Sequence, residues 1–376
     1  MNKSIRTNVR HAEIGRVPDF AGRSKFWAEV RTLANEHLAA EADQGRPSIG
    51  DPRAQRQAAV MVLCFALSYG ALLCATSLTA VVLAAVCCAV AAAAVGLGVF
   101  HDANHGTLFR RPAANLLAAR ICSVLLGPSR HFWVRKHSHH HRHPNVFGWD
   151  DDLETRGVLR LSPACAWEPR FRRQEFKALV YYGLNTIEWL FWKDFRSLAC
   201  GRLNKWHSLE MGRRARVEFL ACKGLYLLLF VLPPFFVLPP IWAVIAFGLF
   251  HLIFSWVLAA VFQIAHLTPG MEFDGVRSED DWATHQIRTT ANFATRSRLT
   301  TWFTGGLNHQ IEHHLFPNVV HTHYAGLRPI VRAAAERHGL RCHDLGNFSS
   351  ALKQHFALLK ALGADVRATP AGSAAF

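Results

Sequence analysis

Two long stretches of the chain carry no charge, and they set its organisation. Residues 57 to 100 contain no Asp, Glu, Lys or Arg, and neither do residues 224 to 265. A helix needs about 20 apolar residues to cross a bilayer, so each stretch can hold two spans joined by a tight turn. The predicted spans cover residues 58 to 75, 80 to 100, 218 to 237 and 241 to 264. The turns fall at residues 76 to 79 and at Pro239-Pro240, and neither carries a basic residue. Two other apolar segments read differently. Residues 115 to 127 are too short to span and contain Arg120, while residues 178 to 192 mix Tyr and Trp with Asn185 and Glu188. Both suit a membrane surface better than a bilayer centre.

Composition agrees with a membrane protein. Over 376 residues the chain is 51% hydrophobic and 18% charged, against about 25% charged in an average soluble domain. The net charge of +15 would suit either nucleic acid or an anionic bilayer surface. Because every Lys and Arg lies outside the two charge-free stretches, the bilayer is favoured and a nucleic-acid partner is excluded. The positive-inside rule then puts both termini and the middle section in the cytoplasm. The nine cysteines form no CxxC pair and predict no disulfide framework. The first 50 residues lack an apolar signal core, so the first span is expected to direct insertion.

The expected fold is therefore an all-α integral membrane protein: four transmembrane helices with a cytosolic helical cap. Residues 1 to 56 are expected to form a mobile cytoplasmic arm, although residues 26 to 40 could make an amphipathic helix. Residues 57 to 340 form the membrane-bound domain, whose cap comprises residues 101 to 216 and 266 to 340. Residues 341 to 376 supply a last helix and a tail.

The candidate chemistry lies in histidines. The stretch WVRKHSHHHRHPNVFGWDDD, residues 133 to 152, holds five of the chain's 22. His137, His140 and His141 follow the spacing i, i+3, i+4, which on a helix confines them to roughly 100° of arc, while His139 points the other way. Residues 101 to 105 read HDANH, with His101 and His105 one turn apart; residues 309 to 314 read HQIEHH, ending in His313 and His314. His266 ends the fourth predicted span at the same level. Clustered neutral imidazoles are mainly useful as ligands for borderline metals. The even number of spans between the second and third boxes returns the chain to one side of the membrane, so all three boxes can build one site.

HDANH, the stretch from residue 133 to 151 and GGLNHQIEHHLFP (residues 305 to 317) resemble the membrane-bound fatty-acid desaturases. WATHQIRTT (residues 282 to 290) and HTHY (residues 321 to 324) extend the resemblance over roughly residues 98 to 340. It implies a non-haem di-iron, oxygen-dependent enzyme whose metal ligands are His101, His105, His137, His140, His141, His313 and His314, with His266 as a further one. The third box has Gln310 where a three-histidine form would have His, as in front-end desaturases and bacterial relatives, and Ser138 replaces a frequent Asn. On a regular helix Gln310 lies mid-arc between His313 and His314, with His309 bordering His313. Either could reach the metal, and the family pattern makes Gln310 the first choice as a ligand and His309 the alternative. Asp150 and Asp152, with Asn145, are candidates for supporting the ligand histidines from outside; Glu312 and Asp102 do not face the metal.

Two iron ions and dioxygen would introduce a double bond into a long acyl chain carried on a lipid or thioester. The alternative on the same scaffold is a hydroxylase, acetylenase or carotenoid-type oxygenase. The chain shows no haem-binding domain, no dinucleotide fingerprint and no iron–sulfur cysteine set, so an external electron donor such as a ferredoxin or cytochrome is expected. A bacterial inner membrane, with the site on the cytoplasmic side, is the expected location.

Overall fold

The computed structural model describes residues 20, 22, 24 to 204, 207 to 273, 275 to 276 and 281 to 364. The first 19 residues of the arm and the tail from residue 365 lie outside these. Among the described residues, four helices are long and apolar enough to cross a membrane: Pro52–Leu73, Leu78–His105, Arg213–Val237 and Pro240–Ile264. They fall where the charge-free stretches predicted them. Local chemistry sets their ends. Asp51 caps the first by accepting from the Arg53 N–H, Pro52 starts it, and Ser77 caps the second through the Ala80 N–H. Leu238 turns extended ahead of Pro239, and Pro240 opens the fourth helix. Outward-facing Leu67, Leu83, Phe236 and Ile241 are exposed, as lipid-facing positions would be. All nine cysteines are free.

The second span does not run as one regular helix. Residues Val95–Phe100 form a π turn before the chain continues as His101–His105. Wide turns of this kind reset the helix phase and are frequent at functional sites. At this level Gly98 lies against Gly305: a Cβ on Gly305 would stand 2.5 Å from the Gly98 Cα, and Gly305 has φ +57°. Only glycine allows that approach and that conformation together. The contact seats the third-box loop on the end of the second span.

Helix Pro112–Leu126 is 15 residues long and too short to cross; its Arg120 pairs with Glu218 at 2.6 Å. Helix Gln174–Glu188 continues through a π turn, Trp189–Lys193, into Asp194–Cys200. It buries Ala178, Tyr182, Gly183 and Thr186 and leaves Phe176, Val180 and Leu184 exposed, a polarity that fits the surface role expected of it. Its Thr186 meets His251 Nδ1 at 3.0 Å, so His251 is a hydrogen-bonded core residue. Asp194 pairs with Lys223 of the third span at 2.9 Å, and accepts from the N–H of Ser129, which caps the box-two helix Arg130–Arg142. Removing one member of such a buried pair costs about 3–5 kcal/mol.

The arm departs from expectation. Helix Lys25–Asp43 buries Phe26, Val30 and Ala34 in a cluster with Leu327, Val331 and Ala334 of helix Tyr324–Arg337. Asp281, which caps Trp282–Thr289, also accepts from the Ser24 N–H and hydroxyl. The apolar stripe is thus satisfied by protein, which holds residues 24 to 43 as part of the cap. The last helix, Phe348–Gly363, packs beside Gln174–Glu188: its His355 meets the Tyr182 hydroxyl at 3.0 Å.

Candidate metal centre

Three elements and one helix end deliver the boxes. The second span supplies His101 and His105, the box-two helix His137, His140 and His141, and the short helix Gln310–Leu315 supplies His313 and His314. His266 follows the fourth span. All eight imidazoles meet. His101, His105, His137 and His313 form one group, and His140, His266 and His314 a second; within each, one ligand atom per residue lies within 4.8 Å of the others. His141 sits between them, its ring 4.6 Å from that of His313 and 4.4 Å from that of His314.

The spacing inside the groups is that of atoms sharing a partner. His137 Nε2 is 2.9 Å from His105 Nε2 and 3.0 Å from His141 Nε2; His140 Nε2 is 3.2 Å from His266 Nε2. On the far side, several rings are engaged by the protein. His140 Nδ1 donates to Asp150, whose two oxygens are each 3.1 Å away. His266 Nδ1 donates to the Thr289 carbonyl at 3.1 Å, and His314 Nδ1 to Gln286 Oε1 at 2.8 Å. His313 Nδ1 lies 3.1 Å from the Tyr324 hydroxyl. With Nδ1 held outward, the Nε2 lone pairs converge inward. The Nε2 atoms of His101, His313 and His314 are buried and have no hydrogen-bond partner, as is Gln310 Oε1. An unpaired buried polar atom costs about 1–3 kcal/mol, and a cation at the convergence point would satisfy several at once. The residues fit a metal.

Protonation points the same way. Burial, then the neighbouring rings, push His137, His141, His313 and His314 well below the ordinary imidazole value. Burial takes His266 down to about 3. These rings are neutral at pH 7, the form that ligates metal. His140 differs: burial opposes its charge, but Asp150 outweighs burial and raises it to about 9.

The backbone places the third box's two candidates differently. The short helix begins at Gln310, and His309 precedes it with φ −101° and ψ 60°. Helical arithmetic therefore does not extend to His309. Its ring is buried with neither nitrogen hydrogen-bonded, its nearest carboxylate is Glu312 Oε2 at 3.8 Å, and it joins neither group. Gln310 instead brings its amide nitrogen to 3.2 Å from His266 Nε2. Glu312 turns away to accept from Asn292 at 2.8 Å.

The expected supporting residues separate as well. Asp150 also accepts from the Asn145 N–H at 2.9 Å, and Asn145 Nδ2 donates to the His266 carbonyl at 2.9 Å, so Asn145 braces both Asp150, the partner of His140, and the backbone of His266. Its φ of 60° is one that Asn tolerates. Asp152 is 40% exposed and stands 3.7 Å from His140 Nδ1, beyond hydrogen-bond range. Asp102, His321, Gln286, Thr289 and Tyr324 had no assigned part. Asp102 Oδ2 accepts from His321 Nδ1 at 2.6 Å beside His101, and His321 Nε2 meets Gln57 Oε1 at 3.1 Å. The segments WATHQIRTT and HTHY, which extend the family resemblance, contain four of these five, and that was the available signal.

A cavity opens against the second group. His140, His266, Gln310 and His137 line one part of it; Tyr182, Trp189, Leu258 and Phe262 form apolar walls, and Lys136 and Lys193 are also part of its lining. The imidazole cluster thus borders a partly apolar slot.

Comparison with known proteins agrees with this arrangement. Residues 75–346 match the family model for fatty acid desaturases. The chain is 31% identical over 287 residues to the sn-1 linoleoyl-lipid 6-desaturase of Synechocystis sp., covering 73% of this chain and 78% of that protein. It is 32% identical over 287 residues to the acyl-lipid (8-3)-desaturase of Physcomitrium patens, covering 72% of this chain and 58% of the relative. A further relative, the sn-1 linoleoyl-lipid 6-desaturase of Arthrospira platensis, is 29% identical over 275 residues, covering 71% and 74%. With four helices able to cross a membrane and its histidine boxes gathered beside a cavity, this chain belongs to the fatty acid desaturase family of oxidoreductases.

Proposed function

We propose that the chain is an oxygen-dependent acyl-lipid desaturase with two iron ions in its imidazole clusters. The observation that carries this reading is the convergence of eight imidazoles, six of them buried, in two adjoining groups beside a partly apolar cavity. His101, His105, His137 and His313 would hold one iron, and His140, His266 and His314, with Gln310, the other; His141 lies between them. Bound there, the irons would supply the oxidising power to remove hydrogen from an unactivated C–H bond, which side-chain acids and bases cannot do.

The chain's own residues position and exclude. Asp150, Asn145, Gln286 and the Thr289 carbonyl hold the second group's rings with their Nε2 atoms inward. Tyr182, Trp189, Leu258 and Phe262 would take the acyl chain and keep water from it. The net reaction converts CH2–CH2, O2, two electrons and two protons into CH=CH and two waters. The electrons come from an external donor such as a ferredoxin or cytochrome, for which the basic balance of the chain offers an electrostatic dock. An acyl chain esterified in a lipid is the favoured substrate, because the relatives carry acyl-lipid names. The charge distribution supports a cytoplasmic placement of the clusters and both termini.

The test is expression in a host of known lipid profile, followed by mass spectrometry that locates the double bonds. New acyl chains lacking two hydrogens are expected. Products that gain one oxygen would overturn desaturation in favour of hydroxylation on the same scaffold.

A further inference from the structure

The opposite face of the box-two helix carries a group of its own. His139 points there, toward Asp151 at the start of the turn Asp151–Leu153 and toward His207 in the loop after helix Asp194–Cys200. One ligand-capable atom from each lies within 4.8 Å of the others, and the two rings are 3.8 Å apart by their centroids. It shares no residue with the groups built from the boxes.

The distances inside it are informative. Asp151 Oδ2 stands 3.4 Å from His139 Nδ1 and 3.7 Å from His207 Nδ1. A charge-assisted hydrogen bond would draw such atoms to about 2.7–2.9 Å. Around a tetrahedral ion with bonds of about 2.0–2.1 Å, by contrast, neighbouring ligand atoms sit ~3.3–3.4 Å apart. His139 Nδ1 and Asp151 Oδ2 are both buried without a hydrogen-bond partner. The carboxylate's other oxygen is already taken by the Asn204 amide, which leaves Oδ2 free. Asn204 holds His207 too: its Oδ1 accepts from the His207 backbone N–H at 2.8 Å and its Nδ2 donates to His207 Nδ1 at 3.2 Å, which leaves His207 Nε2, buried and without a hydrogen-bond partner, as that ring's open donor atom. Asp151 and His207 have side chains 2% and 9% exposed, while that of His139 is 35% exposed and leaves a way in. Although burial works against it, His139 and His207 keep the Asp151 carboxyl below the ordinary range, so it carries negative charge at neutral pH.

We propose that His139, Asp151 and His207 form a third metal site, for one borderline divalent cation such as zinc. Two imidazoles and a carboxylate suit that class, and an open fourth position accepts water. The ion would staple the loop around His207 to the box-two helix, one residue from His140 but on the other face. The proposal does not rest on iron in the boxes.

Purified full-length protein, with its box clusters loaded with iron, is dialysed against zinc and its elemental content measured. One zinc per chain beyond the iron is expected. Asp151→Asn, which keeps the shape and removes the charge, weakens zinc retention by about tenfold or more with iron content kept. A parent protein that retains no zinc overturns the proposal without recourse to any variant, and so does undiminished zinc in the His139→Ala/His207→Ala double variant. If iron fails to load, the di-iron reading suffers, yet the count still decides here: the double variant must bind one zinc fewer than the parent.

Discussion

The two imidazole groups are built from the same three boxes but are not equivalent. The first gathers four rings, His101, His105, His137 and His313, at the end of the second span, and meets the cavity only through His137. The second has three rings, His140, His266 and His314, takes in the amide of Gln310, and meets the cavity through His140, His266 and Gln310. It is also the group in which every ring is fixed from outside, by Asp150, the Thr289 carbonyl and Gln286. The contrast teaches that the second group trades an imidazole for access. A set of four nitrogens can complete a metal's shell; a set of three with a weak amide donor keeps room on the side where a substrate would lie.

Removing a ring should have the largest effect. His314→Ala or His140→Ala is expected to abolish desaturation and to lower iron from two ions per chain, whereas His313→Ala removes iron from the other group. Elemental analysis paired with a fatty-acid profile measures both, and full activity in any of the three would break the comparison.

Asp150→Asn comes next, because it spares the ligand and disturbs only its support. A loss of about 10–100-fold in metal affinity is expected. It carries a pH signature. Asp150 raises His140 to about 9 despite burial, so metal must displace that proton and iron affinity climbs as pH rises toward about 9. The same ion pair stabilises the metal-free fold fully below the unfolded value of about 6.5 and is lost as pH rises through about 9. In Asp150→Asn both trends should flatten. Metal titrations at several pH values would show it, and an unchanged slope would remove Asp150 from the account.

At Gln310 the expected effect is moderate. Gln310→Ala lowers iron in the second group, and Gln310→His restores it by adding a nitrogen; if Ala retains full iron, the amide plays no part in the site. His309→Ala should be the mildest change, with iron content kept, since His309 joins neither group. A loss equal to that of Gln310→Ala would reverse the assignment between the two.

Much of the fold was legible because a bilayer imposes a one-dimensional rule. The charge-free stretches located the helices Pro52–Leu73 and Pro240–Ile264 and their partners to within six residues at each end. The convergence of box two was legible for a similar reason, since i, i+3, i+4 places rings on one helical face wherever the helix goes. Other features were not local. Asp102 reaches His321 across 219 positions, and Asn145 reaches the His266 carbonyl across 121. The arm's stripe of Phe26, Val30 and Ala34 gave no hint of whether lipid, water or protein would cover it, and helix Tyr324–Arg337 does. His139 read as a bystander because its partners, Asp151 and His207, are 12 and 68 residues away.

By itself, then, the order of residues determined the spans, the donor chemistry and which histidines share a helical face, because hydropathy and helical period act over a few turns of chain. Only the tertiary structure decided that Gln310 and not His309 faces the second group, that Asp150 and not Asp152 holds His140, and that the imidazoles divide into two groups. Those outcomes depend on where a short helix begins and on how glycines let separate segments touch, and no local period encodes either.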